Sequence, residues 1–182
     1  MRKLSAIFIS IILSPFFILV SIIILLSDGF PIIFTQKRVG KSNVHFKLYK
    51  FRTMKKNTPD IATHLMKNPQ EHLIKLGGFI RKYSLDEIPQ IFNIIKSDMS
   101  YIGPRPALHN QDDLISLRTS KNIHSIMPGI TGWAQVNGRD DLSINEKVDF
   151  DFYYLHNQNF NLDIKIMFLT ATKVFYKKGV SH

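Results

Sequence analysis

Asp86 and Glu87, in the run Ser84-Leu85-Asp86-Glu87-Ile88-Pro89, are the first residues of this chain whose types and spacing could do chemistry. As structure, Ser84 and Glu87 have capping-box spacing, or Asp86 is itself an N-cap with Pro89 in the first helical turn. As function, a helix dipole and nearby Arg keep a carboxylate there ionised, and the same pole attracts phosphate. An ionised Asp beside a bound phosphate is a nucleophile able to form an acyl-phosphate. Glu87 could hold a divalent ion or handle a proton. Arg105 lies between Pro104 and Pro106, whose fixed φ angles stiffen the loop. It is either a solvated Arg on a rigid loop or a guanidinium preorganised for bidentate phosphate binding. The run from Pro128 to Arg139 contains three Gly. It reads as two turns flanking one strand, or as a backbone that a ligand can approach closely. Lys50 and Arg52 belong to a basic hairpin that is either solvated or in contact with anionic lipid.

Composition narrows the choice. The chain has 182 residues with 24 Lys or Arg against 14 Asp or Glu, a net charge of +10. That excess calls for an anionic partner: nucleic acid, phosphorylated substrate or acidic lipid. There is no Cys, which excludes a disulfide scaffold, a Cys-ligated zinc site, an iron–sulfur cluster and a thiol nucleophile. Seven His show no metal-ligand spacing. Walker A, Gly-x-Gly-x-x-Gly and Gly-x-Ser-x-Gly are all absent from the sequence. Nucleic-acid binding has only charge behind it, with no RNP, OB or helix-turn-helix pattern.

The elements that must position these residues begin with Leu4 to Leu26, 23 residues without a charge, 18 of them apolar. The run exceeds a signal-peptide h-region, and Ser27-Asp28-Gly29 is a poor cleavage site. It is long enough to cross a bilayer. Ser14-Pro15 at its middle predicts a bend. Basic residues flank both ends: Arg2 and Lys3 before it, and eight Lys or Arg with no acid between Gly29 and Pro59. Positive flanks prefer the cytoplasmic side, which favours a re-entrant helix slightly over a spanning one.

Beyond it, Ile32 to Lys37 and Val44 to Arg52 read as a β-hairpin around Gly40 to Asn43. Asn57 to Pro69 reads as a polar loop. His72 to Lys82 is a short helix interrupted by Gly77-Gly78, and Ile88 to Lys96 an amphipathic helix. Leu108 to Ile126, Ile144 to His156 and Leu162 to Tyr176 read as helices. The expected fold is α+β: a membrane helix over residues 1–28, then one compact, mostly helical domain with a small sheet over residues 29–182.

Taken in order, these segments resemble the bacterial sugar transferases, monotopic polyprenyl-phosphate phosphoglycosyl transferases of the minimal, catalytic-domain type. The resemblance is carried by Phe34 to Gly40, Phe46 to Met54, Ser84 to Gln90, Asp98 to Pro106, Pro128 to Arg139 and the region of Asp149, Tyr153 and Asp163. It implies transfer of a sugar 1-phosphate from a UDP-sugar to polyprenyl (undecaprenyl) phosphate, releasing UMP, through a phosphosugar on Asp86. It implies Mg²⁺ at Asp86 and Glu87, with Glu87 as the supporting acid. Lys50, Arg81, Arg105 and Arg139 match basic positions around the diphosphate. Pro104 and Pro106 flank one of them, and Asp163 matches a further polar site residue. Ser14-Pro15 matches the break of a re-entrant helix. Where members carry a Lys-Arg-x-x-Asp-like stretch before this helix, the chain has Met1-Arg2-Lys3. The partners expected are donor, lipid acceptor and anionic lipids on the cytoplasmic face of the inner membrane. Nucleic acid is not expected, and a homodimer is compatible. A membrane-tethered scaffold without catalysis is the competing reading.

Overall fold

The computed structural model describes residues 2–58 and 68–176. Helix α1 (Arg2–Asp28) runs through Pro15 without interruption for 27 residues, about 40 Å at 1.5 Å per residue. Pro15 has no N–H to give the Ile11 carbonyl four residues back. The Ser14 hydroxyl donates to that carbonyl at 2.7 Å, which explains why a Ser precedes the Pro. Ser5, Ser10, Ser21 and Ser27 likewise donate to carbonyls three or four residues back. No α1 hydroxyl therefore needs water, the condition a helix must meet to lie in lipid.

Most of the α1 surface is exposed and apolar, including Leu4, Phe8, Ile11, Ile12, Phe16 and Leu26. The rest packs on the domain along the whole helix. Near its start, Ala6 is buried with Leu48, Ile91, Ile94 and Met99, and Ser5 Oγ lies 3.1 Å from Tyr101 Oη. Near its end, Val20 and Ile24 are buried with Phe51, Ile74 and Ile80.

Strands β1 (Ile33–Val39) and β2 (His45–Phe51) form the expected hairpin, antiparallel, with Ile33 opposite Phe51 and Val39 opposite His45. Arg52 follows it. This residue is buried, contrary to both readings of a solvated or lipid-facing cation. Its guanidinium donates to the Pro31 and Gly29 carbonyls, each at 2.6 Å, and to the Asp28 carboxylate. It thus ties the end of α1 to the hairpin. Of the eight basic residues between Gly29 and Pro59, Lys37, Lys41, Lys47, Lys55 and Lys56 are exposed; Arg38, Lys50 and Arg52 turn inward.

Helix α2 (Gly77–Lys82) starts at the Gly pair instead of being interrupted by it. A Cβ on Gly77 would lie 2.5 Å from the Thr53 carbonyl, so only Gly lets α2 approach the strand's end. Residues 85–90 form a 3₁₀ turn that leads into α3 (Ile91–Lys96). The single helix expected from Ile88 is therefore two elements. Asn93, fully buried, stitches α3 to β2: its Oδ1 accepts from the Tyr49 N–H at 3.1 Å and its Nδ2 donates to the Lys47 carbonyl at 2.7 Å.

A second sheet escaped the sequence reading: β3 (Ser100–Ile102) runs parallel to β4 (Gly129–Thr131). Between them, the helix expected over Leu108 to Ile126 shortens to α4 (Asp112–Ser120) and a 3₁₀ turn over 123–125. Left-handed Asn122 breaks it, a conformation Asn tolerates. β4 falls where the first turn was expected, and beyond it the stretch read as a strand between two turns is a one-turn helix, α5 (Trp133–Asn137). α6 (Ile144–Asn157) and α7 (Phe160–Tyr176) complete the described residues as expected. A capping box does exist, but at Ser143 and Glu146, where it starts α6. The polar loop expected over Asn57 to Pro69 falls largely outside the described residues, as does the last part of the domain after Tyr176.

Candidate active site

Four separate elements bring cations to one carboxylate pair. Asp86 and Glu87 stand on the 3₁₀ turn after Ser84. Neither capping reading holds there. Ser84 has φ +54° and makes no side-chain cap bond, and both acids lie inside the turn. Their side chains face cations, which offer a charged group more than a free N–H does.

Lys50 shares a face of β2 with Phe46 and Leu48, by strand alternation. Its Nζ lies 2.9 Å from Glu87 Oε1 and 3.6 Å from Asp86 Oδ2. Arg105 Nη1 and Nη2 each lie 3.5 Å from the same Glu87 oxygen, and Arg139 Nη2 lies 3.8 Å from it. Arg81, on α2, donates through Nε to Thr53 Oγ1 at 2.8 Å and acts electrostatically on Asp86.

The Pro104-Arg105-Pro106 loop owes its rigidity to more than proline. Four consecutive carbonyls are held. Pro104 accepts from the Gly129 N–H at 2.9 Å and Arg105 from Arg118 Nη1 at 2.8 Å. Pro106 accepts from Arg38 Nη1 at 2.9 Å and Ala107 from the Val39 N–H at 2.9 Å. Arg118 is itself held by Asp151, whose Oδ2 accepts from Nε at 3.0 Å and Nη2 at 2.5 Å. Asp151 is 1% exposed. Neither Arg118 nor Asp151 was legible as a site residue. Nothing in the sequence pairs a residue of α4 with one of α6, 33 positions apart.

The two acids differ electrically. For Glu87, burial works to raise the pKa, but Lys50, then Arg105 and Arg139, outweigh it and hold the carboxyl well below the usual range. For Asp86, burial pushes the pKa above its ordinary value. The Lys50 charge opposes that shift, the Glu87 anion adds to it, and Arg81 and Arg105 oppose it further. The helix dipole and nearby Arg were expected to favour the ionised form of Asp86; burial instead shifts its pKa upward, while the surrounding cations shift that of Glu87 downward. Neighbouring acids with divergent pKa values are a recurrent feature of catalytic pairs.

Beside the pair opens a cavity of about 370 Å³. Glu87, Arg105 and Arg139 line it, with Lys82 and Lys173 adding charge. Ile9 and Leu13 of α1, with Ile88 and Ile91, supply apolar wall. Lys82, Lys173 and Gln135 are cavity residues that the sequence reading passed over. Asp163 is not among the lining residues; at the start of α7 it accepts from Tyr154 Oη at 2.8 Å.

Among the described residues, no group of three or more His, Asp or Glu stands together as a cage for a metal. Mg²⁺ commonly binds through one or two carboxylates plus substrate phosphates and water. Asp86 and Glu87 fit an ion held in that way. Lys50 Nζ, at 3.6 Å from Asp86 Oδ2, is too far to occupy that oxygen with a hydrogen bond.

The family model for bacterial sugar transferases matches residues 2–177. The chain is 44% identical over 161 residues to the uncharacterized sugar transferase EpsL of Bacillus subtilis, covering 87% of this chain and 77% of that one. It is 38% identical to the UDP-glucose:undecaprenyl-phosphate glucose-1-phosphate transferase of Escherichia coli, covering 93% of this chain and 38% of the enzyme. It is 37% identical to the UDP-N-acetylgalactosamine-undecaprenyl-phosphate N-acetylgalactosaminephosphotransferase of Aeromonas hydrophila, covering 88% of this chain and 39% of the enzyme. The chain therefore spans well under half the length of those two enzymes. By the extent of the family match, this chain belongs to the bacterial sugar transferase family.

Proposed function

We propose that the protein transfers a sugar 1-phosphate from a UDP-sugar to undecaprenyl phosphate, releasing UMP. The observation that carries this reading is the convergence of Lys50, Arg81, Arg105 and Arg139 on Asp86 and Glu87, beside a cavity that Glu87, Arg105 and Arg139 line and to which Ile9 and Leu13 of α1 add apolar wall. A diphosphate needs the first feature, and a lipid acceptor needs the second. The family match and the printed activities of the relatives support the same reaction.

In the first step an Asp86 carboxylate oxygen attacks the phosphorus bearing the sugar. The bond from that phosphorus to the oxygen bridging it to the uridine phosphate breaks, and UMP leaves with the electron pair. In the second step a phosphate oxygen of the lipid attacks the same phosphorus, and the bond to Asp86 breaks. Arg105 and Arg139 lie where they can neutralise the diphosphate and the leaving phosphate. Glu87, permanently anionic, holds Lys50, Arg105 and Arg139 in place between turnovers. Mg²⁺, held by Asp86, Glu87 and the donor phosphates, would supply further charge neutralisation at the diphosphate.

The contacts of α1 support a re-entrant placement. Arg2 reaches Met127 and Ser5 reaches Tyr101 at one end, while Ser27 reaches the Lys75 carbonyl at the other. A helix crossing the bilayer carries its two ends to opposite faces, about 30 Å apart. With both ends against one domain, α1 dips into lipid and that domain stays on one surface. The five exposed Lys between Gly29 and Pro59 support setting that surface against the acidic cytoplasmic leaflet of the inner membrane. The test is UMP release by detergent-solubilised protein given undecaprenyl phosphate, Mg²⁺ and each of UDP-glucose, UDP-galactose and UDP-N-acetylgalactosamine. Turnover of at least one donor is expected; no release from a broad donor panel refutes the assignment.

A further inference from the structure

Gln135 is the one buried amide side chain among the described residues whose oxygen and nitrogen both lack a hydrogen-bond partner. The residue is 8% exposed and lines the same cavity as Glu87, Arg105 and Arg139. A buried polar group left unmatched carries a desolvation penalty, and folded proteins tolerate few of them. The amide lies against the backbone at the start of α5, where a Cβ on Gly132 would meet the Gly103 carbonyl oxygen at 2.1 Å and Gln135 Oε1 at 2.7 Å.

We propose that Gln135 reads a hydroxyl of the donor's sugar ring. The proposal rests on the transferase reading above and adds a specificity-determining residue to it. Three features select a sugar hydroxyl over the other parts of the donor. The amide is neutral, and its carbonyl oxygen repels a phosphate oxygen, whereas Arg105 and Arg139 on the same cavity wall already suit the phosphates. An amide offers both a donor and an acceptor, which a hydroxyl matches with its own acceptor and donor. Gln135 also precedes Arg139 by one turn of chain, and Arg139 reaches Glu87. The moiety nearest that pair during reaction is the sugar on the attacked phosphorus; uracil is separated from it by the second phosphate and ribose.

The test compares the wild type with Gln135→Met, which keeps the length and removes both polar ends. The probes are the best donor found among the three UDP-sugars, its 2-, 3-, 4- and 6-deoxy or epimeric analogues, and UDP itself, which lacks the sugar. In the wild type, one analogue should lose about tenfold in kcat/KM. In Gln135→Met the parent donor should lose about the same factor, and the penalty for that analogue should vanish. Inhibition by UDP should be unchanged. The ligand-free variant should melt no lower than the wild type, because an unmatched amide contributes nothing to the fold. A rise in the UDP inhibition constant equal to the loss in kcat/KM would mean that Gln135 reads the nucleotide or shapes the site, and overturns the proposal. A lowered melting temperature would mean that the amide has structural partners, and also overturns it. Unchanged discrimination among the analogues would mean that the amide meets only an ordered water, and overturns it as well. Failure of the wild type to release UMP from any donor is a separate result, and removes the transferase reading with this proposal.

Discussion

Asp151, buried, and Glu87, partly buried, are carboxylates facing guanidinium groups, yet they are built on opposite plans. Asp151 meets one cation, Arg118, through two bonds of 2.5 and 3.0 Å to a single oxygen. Charge is matched one to one and the geometry is closed. Glu87 meets three cations at 2.9, 3.5 and 3.8 Å, and Asp86 beside it also feels Arg81. Four cations thus face two carboxylates, most of them at distances too long for good hydrogen bonds. A tight, neutral pair fixes structure. A loose, cation-rich cluster beside a cavity is suited to an anion that is yet to arrive. The first serves the second, because Arg118 also holds the Arg105 carbonyl.

The largest effect should come from Asp86. Asp86→Asn removes the proposed nucleophile, and UMP release should fall by at least about 10³-fold. The same substitution should stabilise the fold near neutral pH, by about 0.5–2 kcal/mol, as relief of a strained functional group often does. The sign follows from linkage. The folded-state pKa of Asp86 lies above its ordinary value, so stability is lost as pH rises from the ordinary Asp range through the raised pKa. Asn never bears that charge. Thermal melts of both proteins across pH check this; an Asn variant less stable at neutral pH would contradict it.

On the matched side, Arg118→Met strands the Asp151 charge and should cost about 3–5 kcal/mol. Adding Asp151→Leu should recover much of that loss in denaturant unfolding. Activity should stay low in the double variant, since the Arg105 carbonyl has lost its donor. Full recovery of both would show that the pair has no part in positioning Arg105.

Arg105→Lys keeps the charge but loses the fork, and kcat/KM should drop about 10²-fold. A smaller change is a shift in pH dependence. The kcat/KM profile of the wild type should lose activity on the acid side through a group titrating above the ordinary carboxylate range, which we assign to Asp86. Glu87→Gln removes the anion that helps to raise this pKa, so the acid limb should move to lower pH in whatever activity remains. A limb that stays fixed would assign it to another group.

Much of this site was legible in the sequence because its residues sit in stiff or unusual local contexts. Arg105 between two prolines, and adjacent acids ahead of an apolar run, stand out in one dimension. Their convergence does not. Lys50 and Glu87 are 37 positions apart and meet only because β2 packs on the turn carrying Glu87. The hairpin was readable from alternation, and α6 and α7 from their periodicity. β3 and β4 were not, since three-residue strands carry too few residues to show a period of two. Ser84 looked like a cap because capping is written in residue types; its left-handed backbone is set by tertiary packing. Arg118, Asp151 and Asn93 were missed for a common reason. Each is a polar helix residue that reads as surface until its partner is known. Gln135 lay inside the run from Pro128 to Arg139, where the glycines alone pointed to a ligand.

Asp86 is proposed to carry the sugar phosphate between donor and lipid. The most direct test is the mass of the intact protein after incubation with the active UDP-sugar and Mg²⁺ but without undecaprenyl phosphate. With Asp86 as the nucleophile, UMP should be released in an amount matching the enzyme, and the protein should gain the mass of one sugar phosphate. That mass should map to the peptide containing Asp86, be discharged by added undecaprenyl phosphate and be absent from Asp86→Asn. UMP release only when the lipid is present, with no added mass under quench conditions that preserve acyl-phosphates, would contradict it and point to direct transfer between the two substrates.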